Sequence, residues 1–222
     1  MDASSDKIAL VTGASRGLGA ALAEGLAARG FHIIALARTS GALEELDDRI
    51  RAAGSTATLA PMDVTKPEAM IQLAGAMAER WGGLDVWAHC AIHAAPLTPA
   101  GHIDPRDWQK SFDCNAHATH GLIALLHPLL MARKGTAIIP ADDVAGHAYY
   151  ASYGASKAAQ MSLAQSWQAE TQKLGPRVLT PTPAPMPTAL RARFHPGEDR
   201  SRLSDCASEA ARILEQAFAK AG

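Results

Sequence analysis

Tyr153-Gly-Ala-Ser-Lys157 sets a phenol and an amine four residues apart. On a helix that spacing puts both side chains on one face, one turn apart. A phenol ionises at about pH 10 and is a poor acid or base near neutrality, but a cation beside it draws that ionisation down. The pair could move a proton, or it could be a buried tyrosine next to a lysine that reaches out to solvent. Two acids, Asp142 and Asp143, lie shortly before it.

A second stretch suggests a ligand. Gly13-x3-Gly17-x-Gly19 lies between an apolar run and an Ala/Leu-rich segment. Glycine serves where the backbone turns tightly and where a phosphate must come close to it. The helix that follows offers free N–H groups and the positive end of its dipole to a pyrophosphate. A tight strand-to-helix turn can need glycine for packing alone, but the βαβ setting favours a nucleotide. Folds of this kind usually carry an acid at the end of the second strand to hold a ribose hydroxyl. Here that place is taken by Ala37, followed by Arg38. A 2′-phosphate could sit against Arg38, with Arg16 as a second cation, since guanidinium donates to phosphate through two N–H groups. Both arginines could also be ordinary solvated surface groups. Asp63 could accept from an adenine amino group or serve its own turn.

These residues need elements to position them. Apolar runs at Lys7–Thr12, Phe31–Ala37, Thr56–Met62, Leu84–Cys90, Thr136–Pro140 and Arg177–Thr180 read as six strands. Helical patterns alternate with them: Gly17 to about Arg29, Gly41–Ala53, Thr65 to about Trp81, Asp104–Arg133 with a break, Tyr150–Leu174 and Ser204–Lys220. Thr65-Lys-Pro-Glu68 has capping-box spacing with Pro67 in the first turn. Pro181–Gly197, with its dense prolines, reads as a loop. In the last helix, Asp205, Glu209 and Arg212 fall on polar positions. Strict alternation predicts an α/β fold, a parallel sheet with right-handed crossovers and helices on both faces. Strands such as IALV suit burial on both sides.

Composition is that of an ordinary globular chain: 222 residues, 48% hydrophobic, 19% charged. With 21 basic and 22 acidic residues, no bulk field favours nucleic acid or an anionic membrane. Cys90, Cys114 and Cys206 form no CxxC, which points to reduced thiols in a cytoplasmic setting. The first residues lack the pattern of a signal peptide, and no apolar run reaches the ~18 residues of a membrane span. His117 and His120 share a helix, and His89 and His93 flank a strand end, but neither pair comes with a third ligand at metal-site spacing.

Taken in order, TGASRGLG at 12–19, Asp63-Val64, Leu84-Asp85-Val86, Asn115, Tyr153-x3-Lys157 and Pro183-x4-Thr188 resemble the short-chain dehydrogenase/reductase family over residues 7 to about 190. The resemblance implies a single Rossmann-type domain spanning 1–222, a doubly wound parallel sheet of six strands that lacks the family's usual seventh, and a substrate lid at 185–203. It implies an NADP(H)-dependent oxidoreductase acting on a small carbonyl or alcohol, and a homodimer built through the helices at 106–133 and 150–174. Tyr153 would be the general acid/base. Lys157 would lower its pKa and hold the nicotinamide ribose, and Asn115 would kink its helix and hold a water in a relay to Lys157. The cofactor would lie on Gly13, Ser15, Arg16, Gly17, Leu18, Gly19, Arg38, Asp63, Val64, Ala91, Tyr153, Lys157 and Thr188.

The chain departs from the family in four places. The family's catalytic serine aligns with Asp143, which when ionised can only accept a hydrogen bond. The segment between Gly146 and Tyr153 is about three residues short by comparison. The family's Asn-Asn-Ala-Gly is His89-Cys90-Ala91-Ile92, and its Pro-Gly is Pro183-Ala184. These departures set a second expectation beside the first: an impaired member that binds cofactor or a partner subunit.

Overall fold

A computed structural model describes residues 7–219. Six strands, β1 (Lys7–Thr12), β2 (Phe31–Ala37), β3 (Ala57–Pro61), β4 (Val86–His89), β5 (Thr136–Ile138) and β6 (Arg177–Leu179), form one sheet in the order β3-β2-β1-β4-β5-β6. All five pairings are parallel. The order reverses between β1 and β4. In a doubly wound sheet the crevice beyond the strand ends at that reversal is where ligands bind.

Among the described residues, six α-helices lie in the crossovers, α1 (Gly17–Ala27), α2 (Ser40–Ala52), α3 (Pro67–Trp81), α4 (Pro105–Phe112), α5 (Ala118–Arg133) and α6 (Ala151–Thr171), and two follow the last strand, α7 (Ala189–Phe194) and α8 (Cys206–Phe218). Alternation along β1 divides the core. Ala9 and Val11 face the layer of α1, α2 and α8, with Leu22, Leu46 and Leu214. Ile8 and Leu10 face the layer of α3, α5 and α6, with Met77, Leu126 and Trp167. Successive side chains on a strand point to opposite faces, so one apolar run serves both layers.

The break expected between 104 and 133 is one widened helical turn, Asp113–His117, in the i→i+5 pattern. It joins α4 to α5 and carries Asn115, a common use of such a turn at a site.

Three expectations are corrected. The 181–197 segment is not all loop: it contains α7, whose cap Thr188 accepts from the Arg191 N–H at 3.2 Å. No proline falls between Pro187 and Pro196, and Ala-Leu-Arg-Ala-Arg-Phe there supplies good helix formers. The Thr65 capping box does not form. Asp63 accepts from both the N–H and the hydroxyl of Thr65 at 2.9 Å, and α3 starts at Pro67 with Lys66 at the cap position. An acid two residues back outcompetes the box because its turn closes more locally. Glu209, expected on a polar face, is buried. Its carboxylate accepts from the Ala184 N–H at 3.0 Å and from Arg212 at 2.8 Å, tying α8 to the loop after β6.

With no seventh strand among the described residues, α8 covers this side of the sheet by packing on α1. Leu214 is fully buried there and lies close against Gly25. Leu214→Ala should therefore cost about 3 kcal/mol, read as a lowered denaturation midpoint at unchanged slope.

Candidate active site

The candidate site lies beyond the carboxyl ends of β1, β4 and β5. Tyr153 and Lys157 sit in the first two turns of α6 and are almost wholly buried. Gly154, between them, has no side chain in the way of the loop that follows β5. A Cβ there would meet the Val144 carbonyl oxygen at 2.9 Å. The loop therefore lies directly on α6 and brings an acid to the phenol.

That acid is Asp142, not Asp143. The Tyr153 hydroxyl donates to Asp142 Oδ2 at 2.8 Å, while Asp143 is exposed. In extended chain, neighbouring side chains point opposite ways, so the one that meets Tyr153 turns the other to solvent. The acid bonded to the phenol is thus the chain neighbour of the one that aligns with the family's serine. The three-residue shortening is taken up close by: Gly146 and Tyr149 both have left-handed backbones, φ 81° and 72°.

The electrostatics of the phenol are also reversed from expectation. Burial pushes the Tyr153 pKa up, and the charge and hydrogen bond of Asp142 push it further. Lys157 does not counter this, because its amine is turned inward. Nζ donates to the Pro140 carbonyl at 2.7 Å and to Gln160 Oε1 at 2.5 Å. Burial lowers the Lys157 pKa to about 8, opposed by the charge of Asp142.

Behind Lys157 runs a chain of fully buried polar groups. Gln160 Nε2 donates to Thr119 Oγ1 at 2.8 Å, and Thr119 Oγ1 donates to the Asn115 carbonyl at 2.7 Å. A carbonyl only accepts, so the single Thr119 proton is committed. His89 Nε2, 2.9 Å from the same oxygen, must then be the N–H that donates to it. His89 Nδ1 is left to accept from Thr12 Oγ1 at 2.7 Å. Burial, reinforced by the Lys157 charge, lowers the His89 pKa from 6.5 to about 3, so the imidazole is neutral with this tautomer. His89 thus ties the end of β1 to α5.

Asn115 is clamped as well. Its Oδ1 accepts from the His93 N–H at 2.7 Å, and its Nδ2 donates to the His93 carbonyl and to Ser156 Oγ, both at 2.9 Å. Ser156 Oγ donates to the Tyr153 carbonyl at 2.9 Å. Asn115, Tyr153 and Lys157 are therefore brought together as expected. Gln160 and Thr119 link Lys157 to the Asn115 carbonyl.

The dinucleotide cradle fits its expected ligand. Gly13 and Gly17 have φ of 72° and 58°. A Cβ on Gly13 would stand 2.6 Å from the Cys90 and Ala91 backbone, and one on Gly19 would stand 2.2 Å from the Gly13 carbonyl oxygen. The turn is thus closed to side chains, and the Arg16 cap position makes no side-chain bond to the first turn of α1. Ser15 and Leu18 line this turn half-buried, and Arg16 and Arg38 are exposed. Val64 is buried, Ala91 is half-buried after β4, and Thr188 packs against Gly17. Asp63 takes its turn role through Oδ1. One buried atom of the cleft has no partner among the described residues: His93 Nε2, whose charged neighbours are Asp107, Lys110, Arg193 and Arg38.

The end of α7 packs against the phenol. The Phe194 ring lies 5.0 Å from that of Tyr153 and 4.9 Å from that of Tyr150, and Arg193 donates to the Ala94 carbonyl at 2.5 Å. Burial raises the Cys90 thiol to about 12 and the Cys114 thiol to about 11, so neither is a ready nucleophile. Among the described residues no group of three His, Cys, Asp or Glu could hold a metal, and no helix is long and apolar enough to cross a membrane.

Sequence reasoning did not find Gln160, Thr119 or Phe194. Gln160 carried a signal: it is a polar residue three positions after Lys157, on the buried side of a helix.

The short chain dehydrogenase family model matches residues 7–199. An oxidoreductase of Listeria innocua is 32% identical over 191 residues, 83% of this chain and 76% of that protein. One of Mycobacterium tuberculosis is 33% identical over 184 residues, 81% of this chain and 68% of that protein. Among solved structures, a short chain dehydrogenase of Salmonella enterica serovar Typhi superposes with a TM-score of 0.90 at 29% identity, covering 95% of this chain and 89% of that one. A short chain dehydrogenase of Escherichia coli CFT073, complexed with NADPH, gives 0.87 at 30% identity, covering 96% and 91%. The chain belongs to the short chain dehydrogenase family, a family of oxidoreductases.

The neutral imidazole makes stability depend on pH. Its folded pKa is depressed, so its contribution is complete above pH 6.5 and is lost as pH falls from 6.5 toward about 3. Between about pH 6.5 and 5, His89 alone should remove ~2 kcal/mol of unfolding free energy. Urea denaturation across that range should show this acid slope, and His89→Asn should flatten it.

Proposed function

We propose that this chain interconverts a carbonyl and an alcohol on a small substrate, with NADP(H) as redox partner. The observation that carries the reading is the convergence of Tyr153, Lys157 and Asn115 beside the glycine cradle, at the reversal point of the sheet. The cofactor would lie along Gly13–Gly19, with Arg38, Asp63, Val64 and Ala91 on the adenosine side and Lys157 and Thr188 on the nicotinamide side. When bound it supplies or accepts the hydride.

Tyr153 exchanges the proton at the substrate oxygen. Lys157, held by Pro140 and Gln160, keeps a donor free to orient the ribose and a positive charge near the reacting groups. Phe194 and the lid exclude water from the phenol. Ile92, half-buried after β4, stands where the family has glycine.

Preference for NADP(H) rests on Arg38, exposed just past β2 with no acid at Ala37, and on Arg16 across the turn. The NADPH complex of the E. coli relative supports it. A homodimer through 106–133 and 150–174 is part of the same reading, supported by the part-exposed Trp108 and Met131 on those helices. A second reading, a cofactor-binding partner with little turnover, draws on the contact between Asp142 and Tyr153.

Fluorescence titration with NADPH and NADH tests the cofactor. Arg38→Ala should weaken NADPH binding about 10-fold or more, the worth of a charge-assisted phosphate contact, and leave NADH unchanged. On a panel of carbonyl substrates, Tyr153→Phe should lower turnover at least ~100-fold with NADPH affinity intact. Tight NADPH binding with no wild-type turnover would select the second reading.

A further inference from the structure

We infer that the proton exchanged at Tyr153 enters and leaves through Asp142, and that Gln160 closes the inward route behind Lys157. The inference rests on the oxidoreductase reading above. From the phenol a proton has two ways to go. Inward, the Lys157 amine meets a carbonyl and the Gln160 carboxamide, and neither group takes up and passes on a proton near neutrality. Beyond Gln160 every proton is committed: the Thr119 hydroxyl to the Asn115 carbonyl, the His89 Nε2–H to Thr119, and the Thr12 hydroxyl to His89 Nδ1. That chain ends on β1 with Thr12 fully buried, so it fixes the lysine and conducts nothing.

Outward, the geometry differs. Tyr153 Oη donates to Asp142 Oδ2 at 2.8 Å, and Asp142 is part-exposed in a loop whose next residue is open to solvent. A carboxylate can take a proton from water and give it up again. In reduction, hydride adds to the carbonyl carbon and the C=O electron pair moves to oxygen. That oxygen takes the Tyr153 proton and leaves a phenolate, and the Asp142 carboxylate takes a proton from solvent and passes it to that phenolate. One proton is consumed per hydride. In oxidation each step reverses and one proton is released.

The groups facing Asp142 are Tyr153, Tyr150 and Lys157 of α6 and Arg191 of α7, with Asp143 adjacent in the chain. Because each hydride delivered to the carbonyl consumes one solvent proton and each removed from the alcohol releases one, the reductive rate should fall as pH rises and the oxidative rate should rise.

Asp142→Asn keeps a side chain that can bond the phenol and removes its capacity to carry a proton. It should lower turnover ~100-fold or more, as loss of general acid–base catalysis does, with the NADPH dissociation constant within about twofold. Asp142→Ala should be equally slow and should regain at least about tenfold in formate or acetate, small acids that can occupy the vacated place. Turnover within about threefold of wild type in Asp142→Asn, while Tyr153→Phe is inactive, would overturn the inference but leave the oxidoreductase reading standing.

Failure of the oxidoreductase reading itself would show as no wild-type turnover, and the inference is then read from phenol ionisation. The chain has three tyrosines, so in a Tyr149→Phe/Tyr150→Phe background the absorbance near 295 nm reports Tyr153 alone. Asp142→Asn should move that ionisation to lower pH by about one unit or more, and Gln160→Met should leave it in place. A shift on Gln160→Met with none on Asp142→Asn would sink the inference.

Discussion

The site depends on one buried imidazole. His89 ends β4 where the strand order reverses, and it joins Thr12 of β1 to Thr119 of α5 across the crevice. A buried polar group must find all its partners or cost several kcal/mol, and a half-satisfied network is worse than an apolar one. Here satisfaction is complete because each proton has one place to go. The Asn115 carbonyl fixes the Thr119 hydroxyl, which fixes the His89 tautomer, which fixes Thr12. Gln160 and Lys157 enter the same sequence from α6. One neutral ring therefore sets the register of two strands and two helices around the place where the chemistry would happen.

The loop after β5 answers a different constraint. A segment shorter than its relatives' must still connect the sheet to α6, and it does so by turning sharply. Tyr149 in a left-handed conformation stores roughly 1–2 kcal/mol of backbone strain. Gly154 lets the loop lie against the helix, and the Thr98 N–H donates to the Tyr149 carbonyl at 3.0 Å, holding the far side. These contacts decide which of two adjacent acids meets the phenol.

The fold was readable because its determinants are local and periodic. The runs KIALVT and FHIIALA match β1 and β2 residue for residue, and the glycine turn sits where a strand must become a helix. The grouping of Asn115, Tyr153 and Lys157 was legible from motif order. The identity of the acid was not, because a one-residue change of register in an extended loop is invisible to spacing. Nor was the partner of Lys157: the place of Gln160 three positions on, along the buried side of α6, marks it as a candidate, but the bond itself depends on side-chain contacts that spacing does not give. Helix α7 was hidden by the prolines before it, and the burial of Glu209 by a backbone N–H, that of Ala184, which no pattern announces.

In this structure the phenol and the amine are held by different groups, and that separation changes what each can do. A lysine beside a tyrosine would lower the pKa of the phenol by attraction to the phenolate. Here the amine faces Gln160 and the phenol faces an acid, so the protonated phenol is the favoured form. A phenol whose pKa is raised stays protonated but gives up its proton less readily, so its neighbours must offset the cost of the phenolate in either direction. It also needs a nearby source to restore its proton, since the phenolate left behind is costly beside a carboxylate. Asp142 is the only titratable side chain bonded to Tyr153 among the described residues. In the proposed reaction the contact that raises the pKa of the phenol is also its link to solvent protons, since Asp142 is part-exposed where Tyr153 is buried.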